Sequence, residues 1–241
     1  MDSENVWRNV MKHLAFYIPL HYPDKERFFE ILQLLDEEGA GYVEIGIPVS
    51  DPYMDGEIIR ETNKVILKHG LTGEDIAVSL KEIRSRFGFK VVIMTYQEGV
   101  ERFSLTHIPH ELYDGFICVN GDYPPEILHD PIKVLNQSKS NADLKQELEH
   151  NHLFAYVVSG EGKTGSFDKL PDQYIEVVKR VKSFTSIPAF VGFGIKSASD
   201  VETVMKNGAD GAIIGTEFIR RYQQGGFDAL KSYIDELKRT H

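Results

Sequence analysis

Eight short apolar runs recur along this chain, most of them separated by text with helical spacing, and this alternation restricts the fold more than any composition figure. The runs are His13 to Ile18, Tyr42 to Ile47, Lys90 to Met94, Gly115 to Val119, Pro131 to Leu135, Phe154 to Val158, Pro188 to Gly192 and Gly211 to Gly215. Between the first two, Phe28, Ile31, Leu32 and Leu35 repeat at helical spacing after Asp24 and stop at Gly39. Further helices are expected over Glu57 to Lys68 and Thr72 to Phe87. A strand reached through a helical crossover runs parallel to its predecessor and is covered on both faces. Eight such units in 241 residues predict the α/β class. The expected architecture is a closed (β/α)8 TIM barrel, one domain over residues 1–241, rather than an open doubly wound sheet. One unit is short. Only Gly121 to Asp130 separates the fourth run from the fifth, and Pro124-Pro125 uses part of it, so that outer helix is expected to be a single turn or missing.

Within this pattern Glu44 is out of place. It sits in Tyr42-Val43-Glu44-Ile45-Gly46-Ile47, a strand whose two covered faces call for apolar residues throughout. An acid there loses water, at a cost of roughly several kcal/mol unless it is paired or protonated. Eleven positions on, Asp55 follows in the loop Pro48 to Gly56. One carboxylate at a strand end and another on the next loop is the layout that acid/base chemistry needs. The structural alternatives are an ion-paired interior acid for Glu44 and an ordinary Asp-Gly turn for Asp55.

The last two runs end in glycine loops, Gly192-Phe193-Gly194 and Gly215-Thr216. Ser197-Ala198-Ser199-Asp200 reads as a capping box, and a short helix from Glu217 to Gln223 precedes Gly225-Gly226. Glycine lets a phosphate approach the backbone, and a helix N-terminus offers unpaired N–H groups with partial positive charge. In barrels of this kind loops seven and eight are the common phosphate site, although the same glycines would also serve close strand–helix packing. The small polar loop Ser159 to Gly165, which follows the strand carrying Tyr156, reads as a mobile lid, with Lys163 adding positive charge near a phosphate. A core tyrosine and a solvated lysine are the simpler alternatives.

Composition removes several classes. A net charge of −10 argues against nucleic acid as a partner but allows local phosphate binding. No run approaches the roughly 18 apolar residues of a membrane span, and no signal-peptide core opens the chain, so no membrane partner is expected. The one cysteine, Cys118, has no mate, which suits a reducing cytoplasm. Neither it nor the histidines show metal-ligand spacing.

These residues together resemble the tryptophan synthase alpha subunit family over nearly the whole chain. The resemblance is carried by Val43 through Pro52 with Asp55-Gly56, by Tyr156 through Gly165, by Gly192-Phe193-Gly194, and by Gly211 through Thr216, in that order. It implies a cytoplasmic lyase of tryptophan biosynthesis. Such an enzyme cleaves indole-3-glycerol phosphate to indole and glyceraldehyde 3-phosphate with no cofactor of its own. Carried over residue by residue, Glu44 would protonate the indole ring and accept a proton from the glycerol hydroxyl. Asp55 would accept the indole N–H, and Tyr156 would line the pocket. Gly165, Phe193, Gly194, Gly215 and Thr216 would hold the phosphate. The implied partner is a pyridoxal-phosphate beta subunit in an α2β2 heterotetramer, facing the Pro48 to Gly56 loop.

The chain departs from that family's pattern in three places. Glu57 follows Asp55-Gly56 where proline is usual, and Gly160 stands where the lid usually carries arginine. In Tyr96-Gln97-Glu98 an acid occupies a position where asparagine is common. None of these touches Glu44 or Asp55. Two other functions fit the same text: a non-catalytic barrel that only binds and activates a beta subunit, and an Mg2+-dependent prenyltransferase-type barrel with acids at its mouth.

Overall fold

The computed structural model describes residues 10–160 and 170–239. Eight parallel strands are arranged around one ring: β1 (Leu14–Pro19), β2 (Tyr42–Gly46), β3 (Lys90–Thr95), β4 (Gly115–Cys118), β5 (Val134–Leu135), β6 (Ala155–Val158), β7 (Ala189–Gly192) and β8 (Gly211–Ile214). Their ladder order is β4-β3-β2-β1-β8-β7-β6-β5. The ends of this sheet meet at one parallel bridge between Phe116 and Pro131. There Phe116 N–H donates to Asp130 O and Ile132 N–H to Phe116 O. The barrel expected from the alternation is therefore present, with its seam between β4 and β5.

Outside the ring lie α1 (Lys25–Glu37), α2 (Glu57–Lys68), α3 (Gly73–Arg86), α4 (Gln97–Arg102), α5 (Asn141–Leu148), α6 (Tyr174–Phe184), α7 (Ala198–Lys206) and α8 (Thr216–Lys238). Their starts are chemically marked. Asp24 caps α1, and Thr72/Asp75, Ser140/Asp143 and Ser197/Asp200 form reciprocal capping boxes. At the seam the outer helix is reduced to one turn, in which Ile127 and Leu128 N–H donate to Pro124 O. The fifth strand is shorter than its apolar run, because Pro131 has no N–H to donate and Asp130 before it is left-handed at φ 47°. Helix α8 breaks at Gly225-Gly226, where Gly226 has φ 62°, so its first two turns form a separate short segment.

Strand alternation divides the core in two. Phe16, Val43, Ile45, Val91, Ile93, Val157, Val191 and Ile214 point outward against the helices. Ala15, Val92, Ile117, Phe154, Tyr156, Phe190 and Ile213 point into the barrel. The barrel floor is aromatic. Phe154 stacks on Phe190 with centroids 4.9 Å apart, and Tyr42 meets both rings edge-on at 5.5 and 4.9 Å. The next inward positions above Tyr42 and Phe154 are Glu44 and Tyr156, so the acid faces the barrel axis because of its register.

Candidate active site

Glu44 is opposite Tyr17 in the β1 ladder and Val92 in the β3 ladder, and is 1% exposed. Burial, with the neighbouring Asp55 charge second, pushes its carboxyl up to about 8. Among the described residues its Oε1 has no hydrogen-bond partner. Among the described residues Glu44 forms no ion pair of the kind considered above. The structure presents a desolvated acid that is mostly protonated at neutral pH.

Asp55 is buried, while Ser50, Asp51, Tyr53 and Met54 of the same loop are exposed. Its N–H donates to Pro52 O at 2.9 Å, and the Tyr96 hydroxyl donates to its Oδ2 at 2.9 Å. Burial, then the Asp55 charge, raises the Tyr96 hydroxyl far above its ordinary range, so that hydroxyl stays a donor. The loop root is fixed from below. Thr95 Oγ1 donates to Ile47 O at 3.1 Å, and Val49 N–H donates to Asn63 Oδ1 at 2.8 Å. Asn63 is itself held through Nδ2 to Ile59 O at 2.8 Å.

Two tyrosines lean across glycines of neighbouring strands. A Cβ on Gly46 would lie 2.6 Å from Tyr17 Cζ, and one on Gly192 would lie 2.5 Å from Tyr156 Cε2. Only glycine leaves room for either ring. Burial, with the Glu44 and Asp55 charges, raises both hydroxyls well above the usual tyrosine range. Gly192→Ala should therefore displace the Tyr156 ring and lower unfolding free energy by about 1–3 kcal/mol, as overpacking does. Urea denaturation checks this, and an unchanged midpoint would contradict it.

The other end of the site is made by backbone. Phe193 and Gly194 are both left-handed, at φ 70° and 75°. For Phe193 this costs about 1–3 kcal/mol, and its carbonyl is held by Ser159 Oγ–H at 2.7 Å. The next residues are clamped: Lys196 and Ser197 N–H each donate to Asp200 Oδ2 at 2.9 Å, and the Tyr233 hydroxyl donates to Lys196 O at 2.9 Å. Gly215 starts α8 without any side-chain cap. Thr216 Oγ1 is buried with no partner among the described residues. The first N–H groups of α8 thus face this end with their partial positive charge.

Glu44, Asp55, Tyr156, Phe193, Gly194, Gly215 and Thr216 all line one cavity of about 540 Å³, part of it open to solvent. Gly165, Lys163 and the rest of the expected lid past Gly160 lie outside the described residues. A second cavity shares Asp55, Met94, Tyr156 and Phe193 and extends over Tyr53, Tyr96, Val119 and Val134. Sequence reasoning missed Tyr17, whose inward position follows from Ala15 two residues earlier, and the Tyr96 hydroxyl. It also missed Arg220 on the cavity wall, which pairs with the nearly buried Glu217. Among the described residues no group of three or more His, Cys, Asp or Glu is placed to hold a metal.

A family model described as tryptophan synthase alpha chain matches residues 5–240. The chain belongs to the tryptophan synthase alpha chain family. It is similar to the alpha chain of Thermotoga petrophila, at 32% identity over 95% of this chain and 98% of that one. The Thermococcus kodakarensis alpha chain is 30% identical over 92% of each. Among solved structures, the tryptophan synthase A-subunit of Pyrococcus furiosus superposes with a TM-score of 0.80 at 27% identity, over 94% of this chain and 97% of that one. Mycobacterium tuberculosis tryptophan synthase gives a TM-score of 0.82 at 27% identity, over 98% and 95%. The chain is thus an alpha-type subunit of a lyase, with the barrel of its family. No helix among the described residues is long and apolar enough to cross a membrane.

Proposed function

We propose that this chain cleaves indole-3-glycerol phosphate by a retro-aldol reaction, without a cofactor of its own, as one barrel domain over residues 1–241 in the cytoplasm. A single observation carries the assignment of roles. Two buried polar atoms, Glu44 Oε1 and Thr216 Oγ1, have no partner among the described residues, and their side chains line the same cavity. Buried polar groups normally have a partner, and a bound substrate would supply one to each of these two. A proton donor and a phosphate cradle within one cavity fit a substrate with an indole ring at one end and a phosphate at the other.

The chemistry follows from the two acids. Indole is a poor carbanion leaving group, so C3 of the ring is protonated first. Glu44, protonated at pH 7 with its carboxyl near 8, supplies that proton. The ring becomes an indolenine-type cation, and Asp55 accepts its N–H and offsets the positive charge. The bond from C3 to the glycerol carbon then breaks, and its electron pair returns to the ring. The hydroxyl on the leaving carbon becomes the aldehyde and gives its proton to Glu44, which is restored. Phe193, Gly194, Gly215 and Thr216 hold the phosphate, with Gly165 assigned there from the family resemblance.

The proposed partner is a pyridoxal-phosphate beta subunit in an α2β2 assembly. Tyr53 and Met54, 42% and 37% exposed on the Asp55 loop, are apolar surface that such a partner would cover. One of the similar solved structures is a tryptophan synthase complex from Pyrococcus furiosus.

The test is indole release from indole-3-glycerol phosphate in EDTA, with and without a beta subunit. Turnover that the beta subunit stimulates is expected, and no indole under either condition would overturn the lyase reading. Thr216→Val should raise KM about tenfold or more with a smaller effect on kcat, since a hydrogen bond to an anion is worth about 1.5–3 kcal/mol. Steady-state kinetics over a range of substrate concentrations read this directly.

A further inference from the structure

The acid at position 98 has a defined task in this chain. It is the second residue of α4, two positions after Tyr96. Its carboxylate accepts Ser50 N–H on both oxygens, at 2.9 and 3.0 Å, and Ser50 Oγ–H at 2.7 Å. Arg102, one turn further along α4, lies 3.6 Å from the same carboxylate. Burial alone would push the Glu98 carboxyl up, but the Ser50 bonds and Arg102 outweigh it and hold it below the ordinary range.

The segment Tyr96 to Glu98 therefore grips one loop at two points. Glu98 holds it at Ser50, and Tyr96 holds it at Asp55. Between these points only Pro52 is buried, while Asp51, Tyr53 and Met54 face solvent. A loop with so little buried apolar surface depends on polar bonds for its shape. An asparagine at 98 would have one acceptor oxygen on a shorter side chain and no charge. A glutamate can take both Ser50 donors at once and bind them more strongly.

We propose that Glu98 is a positioning residue, a latch that holds the Ser50 end of the loop and so fixes Asp55 at the cavity wall. Its kinetic consequence rests on the lyase reading above, whereas its structural consequence does not. Two readouts separate them. In Glu98→Ala, backbone amides of residues 49–56 should exchange with deuterium about tenfold faster or more, while the global unfolding midpoint changes little. With indole-3-glycerol phosphate, kcat should fall about tenfold and KM should stay within about twofold, because the phosphate cradle lies across the barrel mouth. Glu98→Gln, which keeps one acceptor oxygen, should recover part of both. In an Asp55→Asn background the Glu98→Ala change should cost little further, since its effect passes through Asp55. Unchanged exchange in Glu98→Ala would overturn the latch, as would kinetic losses that multiply in the double variant. If the unaltered protein releases no indole, the lyase reading fails, and the exchange experiment still decides the latch.

Discussion

Replacing Glu44 by glutamine should reduce indole release by about 10²–10⁴-fold, the range for a positioned general acid and base. The amide keeps the shape of the side chain and its place above the barrel floor, so the fold should be retained. Stability should change in the opposite direction to activity. The Glu44 carboxyl lies near 8 in the folded chain against an ordinary value of 4.5. Below pH 4.5 it is protonated in both states and contributes no difference. Between 4.5 and 8 the unfolded chain ionises and the folded one does not, so stability falls as pH rises. At about 1.4 kcal/mol per unit this amounts to a few kcal/mol by pH 8. Glu44→Gln should flatten that part of the stability–pH curve and be more stable than the parent at pH 8. The rate has a matching signature. The parent's kcat/KM should decline as pH rises through about 8, and Asp55→Asn, which removes the second cause of the shift, should move that limb to lower pH. Urea denaturation and pH–rate profiles together test the set. A Glu44→Gln protein within tenfold of parental turnover would remove Glu44 from the mechanism.

Glu44 was visible in the sequence because a charge inside an apolar strand contradicts the burial that the βα alternation requires. The shortened unit was visible for a similar reason, since ten residues with Pro124-Pro125 cannot hold a full crossover helix. The helix start at Ser197 was legible through its capping chemistry, and the helix after Asp24 through its apolar spacing. Other features depend on contacts that no local pattern encodes. Tyr17 is an aromatic residue in a strand, and its role depends on ring register and on Gly46 of the next strand leaving space. The bond from Tyr96 to Asp55 joins residues 41 positions apart on two loops. Glu98 at the start of a helix reads as a simple complement to the helix dipole, and its grip on Ser50 follows only from where the β2 loop lies. Strand five was overestimated because a run of apolar residues does not register a missing proline N–H.

A large stability loss is expected from Gly211→Ala at the base of β8. A Cβ there would collide with the backbone carbonyl of His13 on the β1 side and would lie 2.6 Å from Phe190 Cζ on the β7 side. Neither neighbour can withdraw. The His13 carbonyl belongs to the chain entering β1, and the Phe190 ring is stacked on Phe154 and bounded by Tyr42. The start of β8 cannot slide either. Asp210 before it accepts Ala189 N–H at 2.8 Å and Lys182 Nζ–H at 2.7 Å, while its own carbonyl bonds the His13 ring at 2.9 Å. Added volume must therefore deform the aromatic floor or open the β1–β8 ladder, and about 3 kcal/mol or more of destabilisation is expected. Gly39→Ala provides the contrast. That position has nothing within 4 Å of an added Cβ but has φ 77°, so it should lose only the left-handed penalty of about 1–2 kcal/mol. Urea denaturation of the two variants side by side separates packing from backbone strain. If Gly211→Ala proved no worse than Gly39→Ala, the floor on which Glu44 and Tyr156 stand would be far softer than its ring contacts imply.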